Sequence, residues 1–455
     1  MKINEIEYSN RRFYRVWQAD NASSSLIEEL DNTLSKGITS VYYQTPWMGR
    51  GCFKPYNGSF IFLKGIGETK GSEEFRKIME LFWRKRSAID KGGCVRLEMT
   101  DFPILIEYFY TSENEIELFD PRPEGYSIFG AVLREAIISD FLENCGLLIP
   151  KAIAVYKTVL KQDWKDNDQR AMGEYCLNKF REKMKIPDTV KINLSKVQYQ
   201  DPTSGVLVRL LKSSVRLQEV VEVYLNNEDK LPSFNEALDK EASDKGFDSW
   251  TDMLENGMLI NLIGMLRHGI IHSNLQTHYQ NFSLMGEICD WDAAIIHADF
   301  KDASNFKGKL RALENEHSAD MMEYYEMDEE MHKDYDTFAI QQIYAILNSC
   351  LFARKIRKYA LGCTYGEMEM RDDENQLIDK MLKMCTDTDK SLLRALCEKA
   401  DDCSYSFRIV GRASIYGWNC YERDKDYSKH ICTEENKISI IEDVKRTLKL
   451  IGECI

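Results

Sequence analysis

The sequence of 455 residues has few of the features that mark flexible linkers or membrane spans. It contains only 9 prolines and 25 glycines and no low-complexity tract, so no Pro-rich or Gly/Ser-rich linker is apparent. The longest apolar candidate, Met258 to Ile271, is interrupted by Asn261, Arg267 and His268 and is shorter than the roughly 18–20 residues of a membrane span. The first residues lack the apolar core of a signal peptide. We therefore expect a soluble, cytoplasmic protein without a membrane partner.

Basic residues are fewer than acidic ones. The chain has 60 Lys+Arg against 74 Asp+Glu, a net charge of −14, which argues against nucleic acid or a membrane surface as the main partner. Ten acids and one lysine lie between Glu314 and Asp336, and we interpret this stretch as a solvated helix face or loop. Because most of the excess is local, the rest of the chain can still form a cationic pocket for a polyphosphate. Thirteen cysteines without a CxxC pair indicate reduced thiols and no disulfide framework.

The pattern of apolar residues changes along the chain from strand-like to helical. Runs rich in β-branched and aromatic residues predict strands at Ile38–Tyr43, Ser59–Leu63, Val95–Met99, Ile104–Tyr110 and Ala152–Tyr156. Helical spacing predicts a helix over Ala131–Cys145 with Gly146 as its C-cap. A polar stretch, Lys161–Gly205, separates this part from a mostly helical remainder. There, two apolar stripes are expected to be buried: Ile340, Ile343, Leu347 and Leu351, and Ile441, Val444, Leu448 and Ile451. The chain therefore belongs to the α+β class.

The segment from Arg267 to Asp292 carries three of the seven histidines. His268 and His272 are four residues apart and could share a helix face as metal ligands. Gly269 and the two isoleucines after it interrupt a helix there, and no cysteine or glutamate stands at a suitable spacing. The interpretation as structural histidines is therefore favoured.

Oxygen ligands for Mg²⁺ could come from the same segment. Asn281 and Asp290 are nine positions apart, and the turn Leu284–Glu287 would form a hairpin that brings them together. A polar loop leading into an ordinary hairpin explains the pattern equally well. Both interpretations stay open at this point.

Four further charged residues suggest a phosphate site. Lys64 ends an apolar strand and is either a solvent-facing edge residue or a phosphate ligand. Glu135, on the predicted helix, could be its ion-pair partner, as in kinase-like folds. Arg209 and Arg216 stand in an apolar environment and need an anion, either a carboxylate or a polyphosphate.

Taken together, four segments in the correct order resemble the selenoprotein O family, kinase-fold enzymes that transfer AMP to proteins. Leu63–Gly67 (LKGIG) is similar to the family's lysine strand, and Leu133–Gly146 with Ile149–Val155 is similar to its glutamate helix. Val208–Arg216 is similar to its arginine segment, and Asn281–Asp290 is similar to its metal loop. The resemblance extends roughly from residue 59 to residue 294.

The resemblance implies a protein-kinase-like, two-lobed fold. It predicts a strand-rich N-lobe at 1–160, a C-lobe with the phosphate arginines and the metal loop at 161–330, and a helical C-terminal extension at 331–455. It also implies that Lys64 and Glu135 orient the nucleotide and that Arg209 and Arg216 hold its phosphates, with ATP in the family's reversed orientation. Asn281 and Asp290 would bind Mg²⁺, or Mn²⁺ in its place. The expected activity is AMP transfer to a side chain of a protein or peptide.

Departures from the family pattern keep other functions open. Gln280 and Asn274 stand where related enzymes have an acidic base, and neither amide can accept a proton. Asp292 creates an Asp-Trp-Asp sequence typical of small-molecule phosphotransferases and could act as an extra metal ligand or as the base. The alternatives are therefore a kinase-like phosphotransferase acting on a small molecule, and a catalytically inactive nucleotide-binding pseudokinase that serves as an interaction module.

Overall fold

The structure is a computed structural model. It describes residues 4–6, 13–35, 42–44, 51–66, 92–97, 104–123, 127–159, 169–194, 203–272, 275, 281–316, 329, 331–363, 370–403 and 434–455. The chain divides into two compact units. Unit 1 comprises Met1–Ile137, Lys151–Leu210 and Leu310–Tyr325, and unit 2 comprises Ile138–Pro150, Leu211–Lys309 and Glu326–Ile455.

Unit 1 is built mainly from β-strands. Its described strands are β1 (Asn4–Ile6), β2 (Tyr14–Gln18), β3 (Tyr42–Gln44), β4 (Gly51–Tyr56), β5 (Ser59–Lys64), β6 (Gly92–Leu97), β7 (Ile104–Ser112), β8 (Glu115–Pro123), β9 (Ser127–Ile128), β10 (Lys151–Val159), β11 (Lys191–Leu194) and β12 (Thr203–Leu211). The helices that lie in it or begin in it are α1 (Ser24–Leu30), α2 (Phe129–Asn144) and α3 (Gln169–Met184).

The strands form two sheets. The larger has the order β1-β3-β4-β5-β12-β10-β2, with β9 paired to β12, and the smaller has the order β11-β8-β7-β6. The β4–β5 hairpin closes through Asn57 and Gly58, which have φ values of 45° and 76°. Positive φ at both loop residues is the requirement of a two-residue hairpin turn, and Asn-Gly meets it at low cost. This turn fixes the register that pairs Tyr56 with Ser59.

The side chains of β5 and β12 point alternately to the two faces of the sheet, and a separate apolar cluster lies on each face. Ile61 and Leu63 of β5 pack with Val206 and Val208 of β12 in one buried cluster. Leu207 of β12 belongs instead to the cluster that contains the apolar residues of α2. Because side chains alternate along a strand, odd-numbered residues of β12 lie on the α2 side of the sheet. This parity determines which polar residues of the strand can reach the helix.

Unit 2 is mostly helical. Its elements are α4 (Leu217–Asn226), α5 (Leu231–Asp244), α6 (Trp250–His268), β13 (Ile270–Ile271), β14 (Ile295–Ile296), α7 (Ala303–Glu316), α8 (Tyr335–Ala360), α9 (Met370–Met384), α10 (Asp387–Lys399) and α11 (Glu434–Cys454). α7 ends in residues assigned to unit 1. The apolar run of the sequence forms the second half of α6, which is buried nearly all round. None of the described helices is long and apolar enough to span a membrane.

Several elements confirm the sequence-based expectations. The strands around 59–63, 104–110 and 152–156 are present, and the predicted helix is α2. Its C-terminus is followed by Gly146 at φ 80°, the left-handed conformation expected of a C-cap glycine. The stripe of α8 is buried, as are Val444, Leu448 and Ile451 of α11. Ile441, which was expected in the same stripe, is only half-buried because it lies nearer the start of the helix. Residues 36–41, 98–99 and 317–328, which carry parts of two predicted strands and most of the acidic stretch, lie outside the described residues.

The polar stretch at 161–205 is not merely a separator, since it contains α3, β11 and the start of β12. Residues 151–210 belong to unit 1, so the compact units do not follow the limit predicted at 160. The three-part division stays a prediction, because compactness does not by itself define a domain that folds independently. The protein belongs to the α+β class.

Candidate functional site

A buried ion cluster in unit 1 joins three of the residues singled out in the sequence. The Lys64 Nζ atom lies 2.7 Å from Glu135 Oε2, and an Arg209 terminal nitrogen lies 2.5 Å from Glu135 Oε1. The Glu135 side chain is 1% exposed, against 14% for Lys64 and 4% for Arg209. The predicted contact between Lys64 and Glu135 is thus present, and its role in orienting a nucleotide stays a prediction. Arg209 was expected to hold phosphates, and the structure shows that a carboxylate already contacts its guanidinium.

The sheet explains why these three residues meet. Lys64 follows Leu63 and therefore lies on the opposite face of β5 from the buried Ile61 and Leu63. Arg209 has the same parity as Leu207 and so lies on the α2 side of β12. Glu135 stands on α2, which covers that side. Two strands that are neighbours in the sheet and one helix thus supply one charge each.

The cluster places two cations on one carboxylate. Lys64 and Arg209 both contact Glu135, and water reaches all three side chains poorly. The Arg209 guanidinium also lies 4.9 Å from the centroid of the Phe62 ring, a distance typical of a cation–π contact. Charges in such a low-dielectric site act on an anion more strongly than they would in water.

In unit 2, the segment 281–290 forms the predicted hairpin. Phe282 and Ile288 form an antiparallel bridge, and the Gly286 amide donates to the Ser283 carbonyl to close the turn. The Cys289 amide donates to the Asn281 carbonyl at 2.8 Å, so the two ends of the hairpin lie side by side. Asn281 and Asp290 are thereby brought to the same end, as the sequence predicted.

Asp290 has an unusual backbone conformation. Its φ of 71° and ψ of 49° place it in the left-handed region, immediately before a turn of 3₁₀ helix over Trp291–Ala293. The Trp291 indole, which is buried, donates to the Ile288 carbonyl at 2.7 Å and anchors that turn. Asp292 lies in the turn and is half-buried. A non-glycine residue in this region carries backbone strain of about 1–3 kcal/mol, which the surrounding structure must compensate. Such strained residues occur often at functional sites.

Arg216 lies beside the hairpin. Its backbone forms an antiparallel bridge with Ser283, and the Leu217 amide donates to the Phe282 carbonyl at 2.9 Å. The Glu219 carboxylate accepts from the Arg216 amide at 2.9 Å and so caps the start of α4. The structure therefore brings Arg216, Asn281, Asp290 and Asp292 together in unit 2, whereas Lys64, Glu135 and Arg209 belong to unit 1.

Two buried polar residues that the sequence analysis missed hold the hairpin in place. The Asn261 amide group of α6 donates to the carbonyls of Leu148 and Gly286 and accepts from the Leu148 amide, at 2.6–2.8 Å. Both carboxylate oxygens of Glu287 accept from the Lys212 amide at 3.0 Å. Burial raises the pKa of Glu287 although these hydrogen bonds oppose the shift. A polar residue within an apolar helix is the sequence signal that could have identified Asn261.

Close backbone contact explains two glycines of this region. A Cβ atom on Gly257 of α6 would lie 2.0 Å from the Met285 carbonyl oxygen, and Gly286 has a φ of 73°. Each glycine therefore permits the helix and the turn to touch, which a larger residue would prevent.

His272 is structural. It is fully buried, its Nε2 lies 2.7 Å from the Cys289 carbonyl oxygen, and its ring packs edge-on against Trp291 at 4.4 Å. Because a carbonyl only accepts, Nε2 carries a proton and offers no lone pair for a metal. His268 has a different environment: its Nδ1 lies 2.8 Å from Asp302 Oδ2, near Cys145. Gln280 and Asn274, the two positions of the missing base, lie outside the described residues.

Each unit offers its own type of ligand group. Unit 1 presents a cationic cluster suited to phosphate oxygens, and unit 2 presents a carboxylate and an amide, which are oxygen ligands. No protein-family model matches the chain, and no curated protein matches it at the significance required.

Proposed function

We propose that the protein is an ATP- and Mg²⁺-dependent nucleotidyltransferase with a kinase-like fold, which transfers AMP to a hydroxyl-bearing side chain of a protein or peptide. The observation that carries the proposal is the buried Lys64–Glu135–Arg209 cluster. The resemblance of its segments to the selenoprotein O family supplies the type of reaction.

The cluster supports polyphosphate binding through its charge and geometry. Glu135 fixes the position of both cations, so little side-chain entropy remains to be lost when a phosphate binds. Lys64 has the most exposed side chain of the three and is the group best able to contact a ligand. The guanidinium of Arg209, already oriented by Glu135, adds a second positive charge. Together they would stabilise the negative charge of a triphosphate.

The donor set of the hairpin fits Mg²⁺. This ion prefers oxygen ligands, commonly one or two carboxylates supplemented by water and substrate phosphates. Asp290 would supply the carboxylate and Asn281 the amide oxygen. When bound, Mg²⁺ would neutralise charge on the phosphate oxygens of the leaving group.

AMP transfer then requires three tasks of the chain. The acceptor hydroxyl must attack the α-phosphorus, forming a new oxygen–phosphorus bond while the bond to the bridging oxygen breaks and pyrophosphate leaves with the electron pair. The hydroxyl proton must pass to a base, and among the described residues Asp292 is the carboxylate that we assign to this task. Arg216, beside the hairpin, would stabilise negative charge on the departing pyrophosphate.

A second candidate is phosphotransfer to a small molecule, and Asp292 favours it. Asp292 follows Asp290 by two residues and lies in the 3₁₀ turn, and the resulting Asp-Trp-Asp sequence resembles that of small-molecule phosphotransferases. A pseudokinase that binds nucleotide without turnover is the third outcome.

ATP labelled separately on the α- and γ-phosphates distinguishes these functions. Transfer of the α-label to a protein acceptor is the expected result; transfer of the γ-label would indicate the phosphotransferase, and absence of both with intact ATP binding would indicate the pseudokinase. Asp290→Asn should abolish α-label transfer while it preserves the backbone, since asparagine also tolerates the left-handed region. Full α-label transfer by this variant would refute the metal assignment.

Binding of ATP tests the cluster directly. Lys64→Met should weaken ATP binding by more than about tenfold, because a charged hydrogen bond contributes about 1.5–3 kcal/mol. The matched control is Lys380→Met in unit 2. Lys380 is likewise a lysine on a buried carboxylate, Glu255 at 3.1 Å, which an arginine, Arg354, also contacts at 2.5 Å, but it has no assigned role. This variant should lose stability and keep its affinity for ATP.

If both variants weaken ATP binding equally, the effect arises from general destabilisation and the phosphate-site assignment is wrong. If Lys64→Met leaves ATP binding unchanged, the cluster is a structural ion network.

A further inference from the structure

Three helix ends in unit 2 bring a thiol, an imidazole and a carboxylate together. Cys145 follows the last residue of α2, His268 is the last residue of α6, and Asp302 immediately precedes α7. The Cys145 sulfur, a His268 ring nitrogen and a carboxylate oxygen of Asp302 all lie within 4.8 Å of one another. The closest pair is His268 Nδ1 and Asp302 Oδ2, at 2.8 Å. None of these residues belongs to the hairpin or to the cluster of unit 1.

We propose that Cys145, His268 and Asp302 form a binding site for a zinc ion, with a fourth coordination position open to water. Sulfur, nitrogen and oxygen donors together are the ligand types that Zn²⁺ accepts, whereas Mg²⁺ and Ca²⁺ require oxygen donors. Three protein ligands and one open position are the arrangement of exchangeable and catalytic zinc sites.

The distances suit a zinc ion after a small adjustment. Ligand atoms around tetrahedral zinc lie about 2.0–2.3 Å from the metal and therefore roughly 3.3–3.8 Å from each other. The His268–Asp302 pair needs to open by about half an ångström from its hydrogen-bonded distance of 2.8 Å. The separations from the Cys145 sulfur, which are at most 4.8 Å, need to close by up to about 1 Å. All three side chains are only partly buried, so they can adjust and a metal ion can enter from solvent.

Two of the three helix ends favour a cation. The carboxyl ends of α2 and α6 point their partial negative charge at the site, since Cys145 and His268 stand at those ends. The amino end of α7 carries partial positive charge and opposes a cation, but the Asp302 carboxylate stands at that end and offsets it. Lys309 opposes a cation, but its ammonium lies 3.6 Å from Asp140 and 5.5 Å from the centroid of the Phe141 ring, so neighbouring groups partly offset its charge.

Binding requires that the thiol lose its proton. Burial, with the nearby Asp302 carboxylate, raises the pKa of Cys145 to about 11, so the thiol is protonated at neutral pH without a metal. Zinc coordination forms the sulfur–metal bond and releases that proton to solvent. In the metal-free chain His268 Nδ1 faces the Asp302 carboxylate, which only accepts, so Nδ1 carries a proton there. Coordination through Nδ1 replaces this hydrogen bond: Nδ1 gives its proton to solvent and Nε2 takes one up, so the ring stays neutral and its Nδ1 lone pair is free for the metal.

The test is titration of the purified full-length chain with Zn²⁺, followed by calorimetry, and with Co²⁺, followed by its thiolate charge-transfer absorption. One ion per chain is expected. Cys145→Ser should abolish the charge-transfer band and weaken Zn²⁺ binding by more than about tenfold, the least that loss of a supporting ligand costs. His268→Gln should weaken binding similarly, which provides a second test if one variant fails to fold.

The matched control is Cys385→Ser. Cys385 is also a partly buried thiol whose pKa is raised to about 11 by burial and a neighbouring carboxylate, Asp389, but it belongs to no metal-ligating group among the described residues. This variant should bind both metals like the wild-type protein. The proposal is overturned if Cys145→Ser keeps the wild-type affinity and absorption band, or if Cys385→Ser loses as much as Cys145→Ser. Because metal binding is measured directly, failure of this site and failure of the ATP-dependent activity are distinguishable.

Discussion

Replacement of Glu135 by glutamine should destabilise the protein strongly. Glutamine has nearly the same shape but removes the negative charge that faces Lys64 and Arg209. Each ion pair, at about 3 Å, contributes an attraction of roughly 5–6 kcal/mol at an effective dielectric constant of about 20. Most of this attraction only offsets the free energy needed to remove the charges from water. Loss of one partner of a buried pair therefore costs about 3–5 kcal/mol, because it leaves the other charge buried without compensation.

The structure predicts an order among the variants of this cluster. Arg209 is 4% exposed and is left buried when Glu135 loses its charge, whereas Lys64 can turn towards water. Lys64→Met removes one pair but leaves Glu135 paired with Arg209. The Lys64→Met variant should therefore lose less free energy of unfolding, about 1–2 kcal/mol. This is the contribution of a charged hydrogen bond minus the free energy needed to remove the lysine charge from water.

Urea unfolding followed by circular dichroism measures these differences. With a denaturant dependence of about 2–3 kcal/mol per molar, the Glu135→Gln midpoint should fall by about 1 M or more. Lys64→Met should lower it by less than half as much. A Glu135→Gln midpoint equal to that of the wild-type protein, or no lower than that of Lys64→Met, would refute the reasoning about buried charge.

Three further predictions concern unit 2. Asp290→Ala should be about 1 kcal/mol less stable than Asp290→Asn, because alanine tolerates the left-handed conformation poorly; equal melting temperatures would contradict this. Asn261→Ala should cost about 2 kcal/mol, since it removes the acceptor of the Leu148 amide and a donor to the Gly286 carbonyl, whereas the Leu148 carbonyl keeps its hydrogen bond from the Ile288 amide; urea unfolding would reveal a smaller effect if water replaces the amide. Burial raises the pKa of Asp389, but hydrogen bonds led by that from Arg267 lower it below its usual value. A lowered pKa means that the Asp389 contribution is present above the unfolded pKa, about 4, and is lost as the pH falls through the lower folded value. In melting curves between pH 7 and pH 3, Asp389→Asn should lose less stability on acidification than the wild-type protein.

The sequence predicted what depends on local pattern. Strand β5 and helix α2 follow from the alternation and helical spacing of their apolar residues, and the hairpin at 284–287 follows from its turn. The Lys64–Glu135 pair was predicted because two similar segments implied it. The strand, the helix and the hairpin each follow from residues that are close in the chain. The ion pair follows from segments that occur in the same order as in the selenoprotein O family.

Contacts between distant segments were not predictable in this way. Arg209 reaches Glu135 because β12 lies beside β5, a neighbourhood that no local pattern reveals. Asn261 interrupts an apolar run, and no local pattern shows that it connects α6 to the hairpin. Cys145 lies near His268 because α2 and α6 end at the same place. Metal ligands at short spacing in the sequence therefore do not reveal that group.

The left-handed backbone of Asp290 restricts which amino acids can replace it during evolution. Aspartate, asparagine and glycine are accommodated there at low cost, and of these three only aspartate carries a negative charge. A lineage that no longer needs the carboxylate should therefore drift to asparagine or glycine and rarely to alanine, valine or leucine. The residue at this position in related chains would then report whether the carboxylate is still used, even where the rest of the sequence has diverged.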